Sequence, residues 1–209
     1  MSTLKLIALA FLASLAAHAA HAADAPDPTR ARVDKFHDAL LTTMKQGEAL
    51  GTAGRFKKLE PEVDAAFDLA AMTKFTVGPA WTKMTEDEHK SLIAAFRRMT
   101  IANYAHNFDV FKGQKFVTDP TVEVRGPDRL VKSQVIPEGE KPVNLTYRLR
   151  EVGGTWKIID VIYEFVSQLA TRRSEFASTV AAGGAPALVK KLDDLSDKLM
   201  AGKGRSASQ

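Results

Sequence analysis

The stretch that decides the fold is Gly153-Gly154-Thr155-Trp156-Lys157-Ile158-Ile159-Asp160-Val161-Ile162-Tyr163, followed by Glu164-Phe165-Val166-Ser167-Gln168-Leu169-Ala170-Thr171-Arg172-Arg173-Ser174-Glu175-Phe176. Thr155 to Tyr163 is rich in β-branched and aromatic residues and follows a two-glycine turn signal, which predicts the second strand of a hairpin. Apolar residues fill nearly every position from Ile158 to Tyr163, so neither face of the strand reads as freely solvated. The residues after the turn, from about Val166 to Val180, read as a helix carrying Leu169, Phe176 and Val180 on one side. Gly183-Gly184 interrupts it, and Pro186 opens a last helix with Leu188, Val189, Leu192, Leu195 and Leu199.

Upstream of this stretch, Lys115–Val124, Arg129–Ile136 and Val143–Arg150 read as three more strands, separated by Gly126-Pro127-Asp128 and Pro137-Glu138-Gly139-Glu140 turns. The third alternates cleanly, with Val143, Leu145, Tyr147 and Leu149 on one face and Asn144, Thr146, Arg148 and Arg150 on the other. A four-stranded antiparallel meander with one apolar face is the expectation. Thr85-Glu86-Asp87-Glu88 is a capping box that opens the longest helix, in which Leu92, Ile93, Phe96, Met99, Ile101, Tyr104, Phe108 and Phe111 follow before Gly113. By itself such a stripe is what ordinary helix core looks like.

Towards the N-terminus, Val33, Phe36, Leu40, Leu41 and Met44 recur at helical spacing from Thr29 onward. Gly47 to Lys58, with three glycines, reads as a loop. Pro61 suits the first turn of a second helix with Val63, Phe67 and Ala70 on one face, and Gly78-Pro79 breaks the chain before Trp81. Ala23–Pro28 reads as an unfolded lead-in and Gly202–Gln209 as a disordered tail. Helices before and after a run of strands predict an α+β fold with helices on one face of the sheet.

Met1 to Ala22 carries one Lys, an apolar run from Leu6 to Ala17 and the small-residue pattern Ala20-His21-Ala22, the pattern of a cleaved secretory signal peptide. The alternative, a membrane anchor, needs about 20 apolar residues. Cleavage takes one of the 29 basic residues and none of the 25 acidic ones, leaving a net charge of +3. The remaining basic residues are scattered, with no aromatic-interleaved patch, so no nucleic-acid partner is implied. With 45% apolar residues and no cysteine, one domain spanning residues 23–201 has to be held by packing alone, without disulfides, thiol nucleophiles or cysteine-based metal sites.

Trp156-Lys157-Ile158-Ile159-Asp160-Val161, the Ser-centred turn and Leu169-x-x-Arg172-Arg173-x-x-Phe176 resemble the end of the toluene-tolerance family, which includes the Mla-type periplasmic phospholipid carriers. Phe67-Asp68-Leu69-x-x-Met72 with Phe75, Gly78-Pro79-Ala80-Trp81, Phe96-x-x-Met99 and Tyr104-Ala105 extend the resemblance from about Arg32 to Leu195. The wording from Leu169 to Phe176 is closer to the hopanoid-associated branch. Many members have Gly before the Val-Ser of the turn; here that position is Phe165. The resemblance implies a curved antiparallel sheet and a helical layer enclosing an apolar cavity. It also implies a hopanoid or phospholipid as ligand, carriage through the periplasm without chemistry or cofactor, and handover to inner-membrane and outer-membrane transport complexes. A monomer is expected. By position, the expected wall residues are Phe75, Trp81, Phe96, Tyr104, Phe108, Leu145, Tyr147, Leu149, Ile158 and Ile162.

Two further readings bear on chemistry. The histidines outside the leader, His37, His89 and His106, lie on separate elements without i, i+4 partners, which is not the spacing of a metal site. Asp160, a carboxylate among apolar strand residues, has to be satisfied by something. An ion pair or hydrogen bond, for instance with Arg172 or Arg173, is the structural option. An acid–base pair with His106, in a periplasmic enzyme acting on a hydrophobic substrate, is the catalytic one.

Overall fold

A computed structural model describes residues 27–202 of the 209. The expected signal peptide and all but Gly202 of the expected tail lie outside the described residues. The elements are α1 (Pro28–Lys45), α2 (Gly47–Ala66), α3 (Leu69–Val77), a 3-10 segment (Gly78–Lys83), α4 (Glu86–Asn107), β1 (Lys115–Arg125), β2 (Asp128–Ile136), β3 (Val143–Val152), β4 (Thr155–Tyr163), β5 (Val166–Ser167) and α5 (Gln168–Met200). This is the α+β fold that the element pattern predicts, with one antiparallel sheet in the order β1-β2-β3-β4-β5. No helix among the described residues is long and apolar enough to cross a membrane.

The sheet has five strands where four were expected. β5 is two residues long and pairs with β4 through Ile162–Ser167 and Tyr163–Val166. The turn that creates it puts Glu164 (φ 42°) and Phe165 (φ 68°) in the left-handed region, a conformation that glycine adopts freely and a bulky residue adopts at a cost. Glu164 is fixed there by Asn144, whose backbone N–H donates to its side chain at 2.6 Å and whose carbonyl accepts from Glu164 N at 3.0 Å. Phe165 projects into solvent, 85% exposed. The Gly153-Gly154 hairpin behaves as its sequence implies, both glycines having positive φ.

The second helix differs from the sequence reading. Gly47–Lys58 is not a loop, because α2 starts at Gly47 and continues past Pro61 to Ala66, with a kink where Gly51 leaves helical geometry (φ 59°, ψ 177°). Tertiary contacts override the weak local preference. The Arg55 guanidinium is buried and donates to Ala105 O and Gly47 O, each at 2.7 Å, which ties α2 to α4. A Cβ on Gly47 would sit 1.7 Å from Asp109 O, so this position admits no side chain. The helix stops at Phe67, which turns extended and bridges Ile158 in parallel instead of sharing a helical face with Val63 and Ala70.

α4 opens on Thr85 with both arms of the capping box formed, Thr85 N donating to Glu88 Oε2 at 2.8 Å and Glu88 N to Thr85 Oγ1 at 3.2 Å. α5 loses helical geometry at Gly184 (φ 61°, ψ −149°), so it is two helical runs joined at a kink, as the Gly183-Gly184 interruption before Pro186 predicts. α1 begins at Pro28, with Asp27 Oδ1 accepting from Thr29 N at 2.8 Å, so Pro28 is helical, and residues 23–26 of the expected lead-in lie outside the described residues.

Candidate functional site

The quoted stretch is the hub that joins the two halves of the chain. Asp68 N donates to Ile158 O at 2.9 Å, and the Asp68 carboxylate caps α3 by accepting from Ala71 N at 2.9 Å. Lys157 Nζ donates to Asp64 O (2.9 Å) and Ala65 O (2.7 Å), placing a cation on the C-terminal carbonyls of α2. Further along, the Arg173 guanidinium lies over the Phe75 ring, 5.1 Å from its centroid, and would be 3.3 Å from a Cβ on Gly78, itself at φ 72°. The Phe-Asp motif is therefore tied to β4, and the Gly-x-x-Trp motif meets the Arg-Arg motif at Gly78 and Arg173.

Inside, the apolar face of the sheet meets α1, α2, α4 and α5 in one cluster. Leu145, Tyr147, Leu149, Ile158 and Phe96 are all buried in it, Leu149 and Ile158 completely. Tyr104, Phe108 and Trp81 are partly buried against it. Two expected wall residues are elsewhere. Phe75 is 43% exposed, outside the cluster and beneath Arg173. Ile162 faces the other side of the sheet: a register shift at Arg148/Leu149 pairs Tyr147 with Val161 and Leu145 with Tyr163, so Val161 and Tyr163 point inward and Ile162, opposite Thr146, does not.

The most concentrated feature of the interior is a run of ring contacts that the sequence reading did not assemble. Phe36 meets Phe67 and Tyr104 edge-on, both at 5.1 Å between centroids. Tyr104 meets Phe108 (5.7 Å), Phe108 meets Phe116 (6.3 Å), and Phe116 stacks on His37 (4.1 Å, 15°). His37 Nε2 lies 2.9 Å from Tyr147 Oη. Burial pushes the His37 imidazole down to about 3, so it is neutral, and pushes the Tyr104 and Tyr147 phenols up. The sequence signal for His37 was its place among Val33, Phe36, Leu40 and Met44 on the buried side of α1. The run ends at a cleft of about 320 Å³ between α1 and the edge strand β1, lined by Arg30, Asp34, His37, Asp38, Leu41, Phe116, Val117 and Thr118. The cleft is open to solvent, and charged side chains line much of it.

The acid–base pairing of Asp160 with His106 is not formed, nor is an ion pair of Asp160 with Arg172 or Arg173. Asp160 Oδ2 accepts from Ser167 Oγ at 2.7 Å and Oδ1 from Leu169 N at 3.1 Å, which commits the carboxylate to the start of α5. Ser167 Oγ in turn accepts from Ala170 N. His106 is buried in α4 with Nε2 unpartnered. His89 stacks on Trp81 at 3.8 Å, its Nε2 2.9 Å from Trp81 O. Among the described residues no group of three or more His, Cys, Asp or Glu side chains converges as a metal site would. Arg172 pairs with Glu175 at 2.8 Å.

Fold and site define a class: a single-sheet α+β domain with helices packed on one face of the sheet over an aromatic core, and a cleft at the α1–β1 seam. The chain belongs to the MlaC protein family, whose model matches residues 34–194. A similar solved structure is the phospholipid-binding protein from Ralstonia solanacearum in complex with a phospholipid. It superposes with a TM-score of 0.73 at 23% identity, over 83% of this chain and 99% of that one. At that identity the likeness speaks to the shared fold.

Proposed function

We propose that this protein is a non-catalytic periplasmic lipid carrier, which takes one lipid from a membrane, shields its apolar body between the sheet and the helices, and releases it to transport complexes of the inner and outer membranes. The observation that carries the reading is the continuous aromatic interior running from Phe36 and Tyr104 to the α1–β1 cleft, in a chain of the MlaC family. The physical need is plain. Each exposed methylene costs about 0.8 kcal/mol, so an acyl chain of about 16 carbons costs about 13 kcal/mol in water. A phospholipid is the first candidate for cargo, because the Ralstonia protein of the same fold holds one. The hopanoid alternative rests on the wording from Leu169 to Phe176, within which Arg172 pairs with Glu175 and Arg173 lies over Phe75. The rival enzyme reading is not favoured, since the Asp160 carboxylate is spent on capping α5.

Vesicles containing a labelled phospholipid test the proposal. Wild-type protein should draw label into the soluble fraction, and Leu145→Arg, which puts a charge on the inner face of the sheet, should not. Equal uptake by the two proteins, or none by the wild type, would refute it.

A further inference from the structure

Glu164 and Phe165 are the only non-glycine residues with positive φ among the described residues. Phe165 is also the most exposed large apolar residue among them, and Val166 beside it is 55% exposed. A bulky residue held in the left-handed region costs free energy, and Phe165 packs on nothing in its own chain that offsets the cost. Strain of this kind gathers where a residue has a task outside the fold.

The surroundings of this turn are cationic. α3, the 3-10 segment and β5 all pack against α5. From Leu69 to Lys83 and from Phe165 to Gly184 the chain carries Lys74, Lys83, Arg172 and Arg173 against one carboxylate, Glu175. Lys74, Lys83 and Arg173 are exposed, and Arg172 is half-buried beside Glu175. The carboxylates flanking these segments are turned to other groups: Asp68 accepts from Ala71 N, Glu164 accepts from Asn144 N, and Glu86 lies 3.6 Å from His89. A second exposed ring, Phe75, sits in the same band beneath the Arg173 guanidinium. Arg173 is only about 8 Å along α5 from its first residue, Gln168, so the apolar points and the cations share one corner.

Apolar points separated by cations do not suit the core of a protein–protein interface, from which lysine is depleted. They suit a lipid surface, where rings enter the boundary between headgroups and chains while cations stay with the phosphates. We infer that this corner docks on the surface of an anionic bilayer: Phe165 and Val166 enter the interface, and Lys74, Arg172 and Arg173 meet the lipid phosphates. The surface is separate from the interior proposed to hold lipid, since neither Phe165 nor Val166 belongs to the apolar cluster.

Sedimentation with protein-free vesicles tests this, comparing phosphatidylcholine alone with a mixture of phosphatidylcholine and phosphatidylglycerol. Wild-type protein should pellet with the anionic vesicles and be released by about 0.5 M sodium chloride, which screens the cations. Phe165→Gly should bind about tenfold more weakly, the effect of taking one ring out of the interface, while melting at or above the wild-type temperature. Weaker binding by a variant that is no less stable separates docking from folding. Lys74→Ala should bind about fivefold more weakly. Val124→Ser, which removes an exposed apolar side chain from the far edge strand β1, should bind as the wild type does. Failure of the wild type to pellet with anionic vesicles, wild-type binding by Phe165→Gly, or equal weakening by Val124→Ser overturns the inference. Binding that needs the proteins of native membranes also overturns it and assigns the corner to a protein partner. Protein in the pellet reports docking and label left in the supernatant reports lipid uptake, so this inference and the carrier reading fail separately.

Discussion

Replacing Asp160 separates a structural carboxylate from a catalytic one. Its two oxygens accept from Ser167 Oγ and Leu169 N, the cap and the first turn of α5. Hydrogen bonds to a charged acceptor contribute about 1.5–3 kcal/mol each, and the carboxylate also faces the positive end of the helix. Asp160→Ala removes both bonds and strands a buried backbone N–H, so a loss of about 3 kcal/mol is expected. In a domain of this size that lowers the melting temperature by about 6–12 °C. Asp160→Asn keeps a carbonyl acceptor on one side and should lose about half as much. Differential scanning calorimetry on the two variants gives both numbers, and lipid uptake per folded molecule should stay at the wild-type level. Unchanged melting in Asp160→Ala would refute the capping assignment. So would a melting temperature that holds while a hydrolytic or isomerising turnover disappears.

Three other outcomes follow from the structure. Burial pushes the Asp128 carboxyl up, but hydrogen bonds from Arg150 and Arg148 outweigh it and hold the group below its ordinary value. Its stabilisation is therefore complete above about pH 4 and fades as pH falls through the native value, so Asp128→Asn should cost about 2 kcal/mol at pH 7 and flatten the acid limb of a urea-denaturation series. Gly78→Ala forces a side chain into φ 72° against the Arg173 guanidinium and should destabilise by about 1–2 kcal/mol in the same assay. Phe165→Gly relieves a left-handed aromatic that packs on nothing, and thermal melts should show a gain of up to about 1 kcal/mol.

Much of the architecture was legible because its signals are local. The alternation of Val143 to Arg150, the Gly153-Gly154 turn and the Thr85–Glu88 capping box each specify their element within a few residues. What escaped depends on contacts distant in sequence. α2 is helical on both sides of its kink at Gly51 because Arg55 and Leu59 are drawn into the core, Arg55 bonding to α4. β5 exists because Asn144 holds Glu164 in a turn that lacks the expected glycine. Ile162 was expected on the wall together with Ile158, but at Ile159 between them the pairing slips by one residue and reverses the faces. Of the site, the sheet half and α4 were readable as apolar stripes. That Phe36, His37, Phe67 and Phe116 meet was not, since a ring run across α1, α4, β1 and β3 has no footprint in any single segment.

Native mass spectrometry of the protein purified from the cells that make it, followed by organic extraction and lipid identification, tests the central claim most directly. The carrier account predicts a co-purifying lipid at about one per protein. A clean apo mass, together with failure to acquire lipid from labelled vesicles, would contradict it.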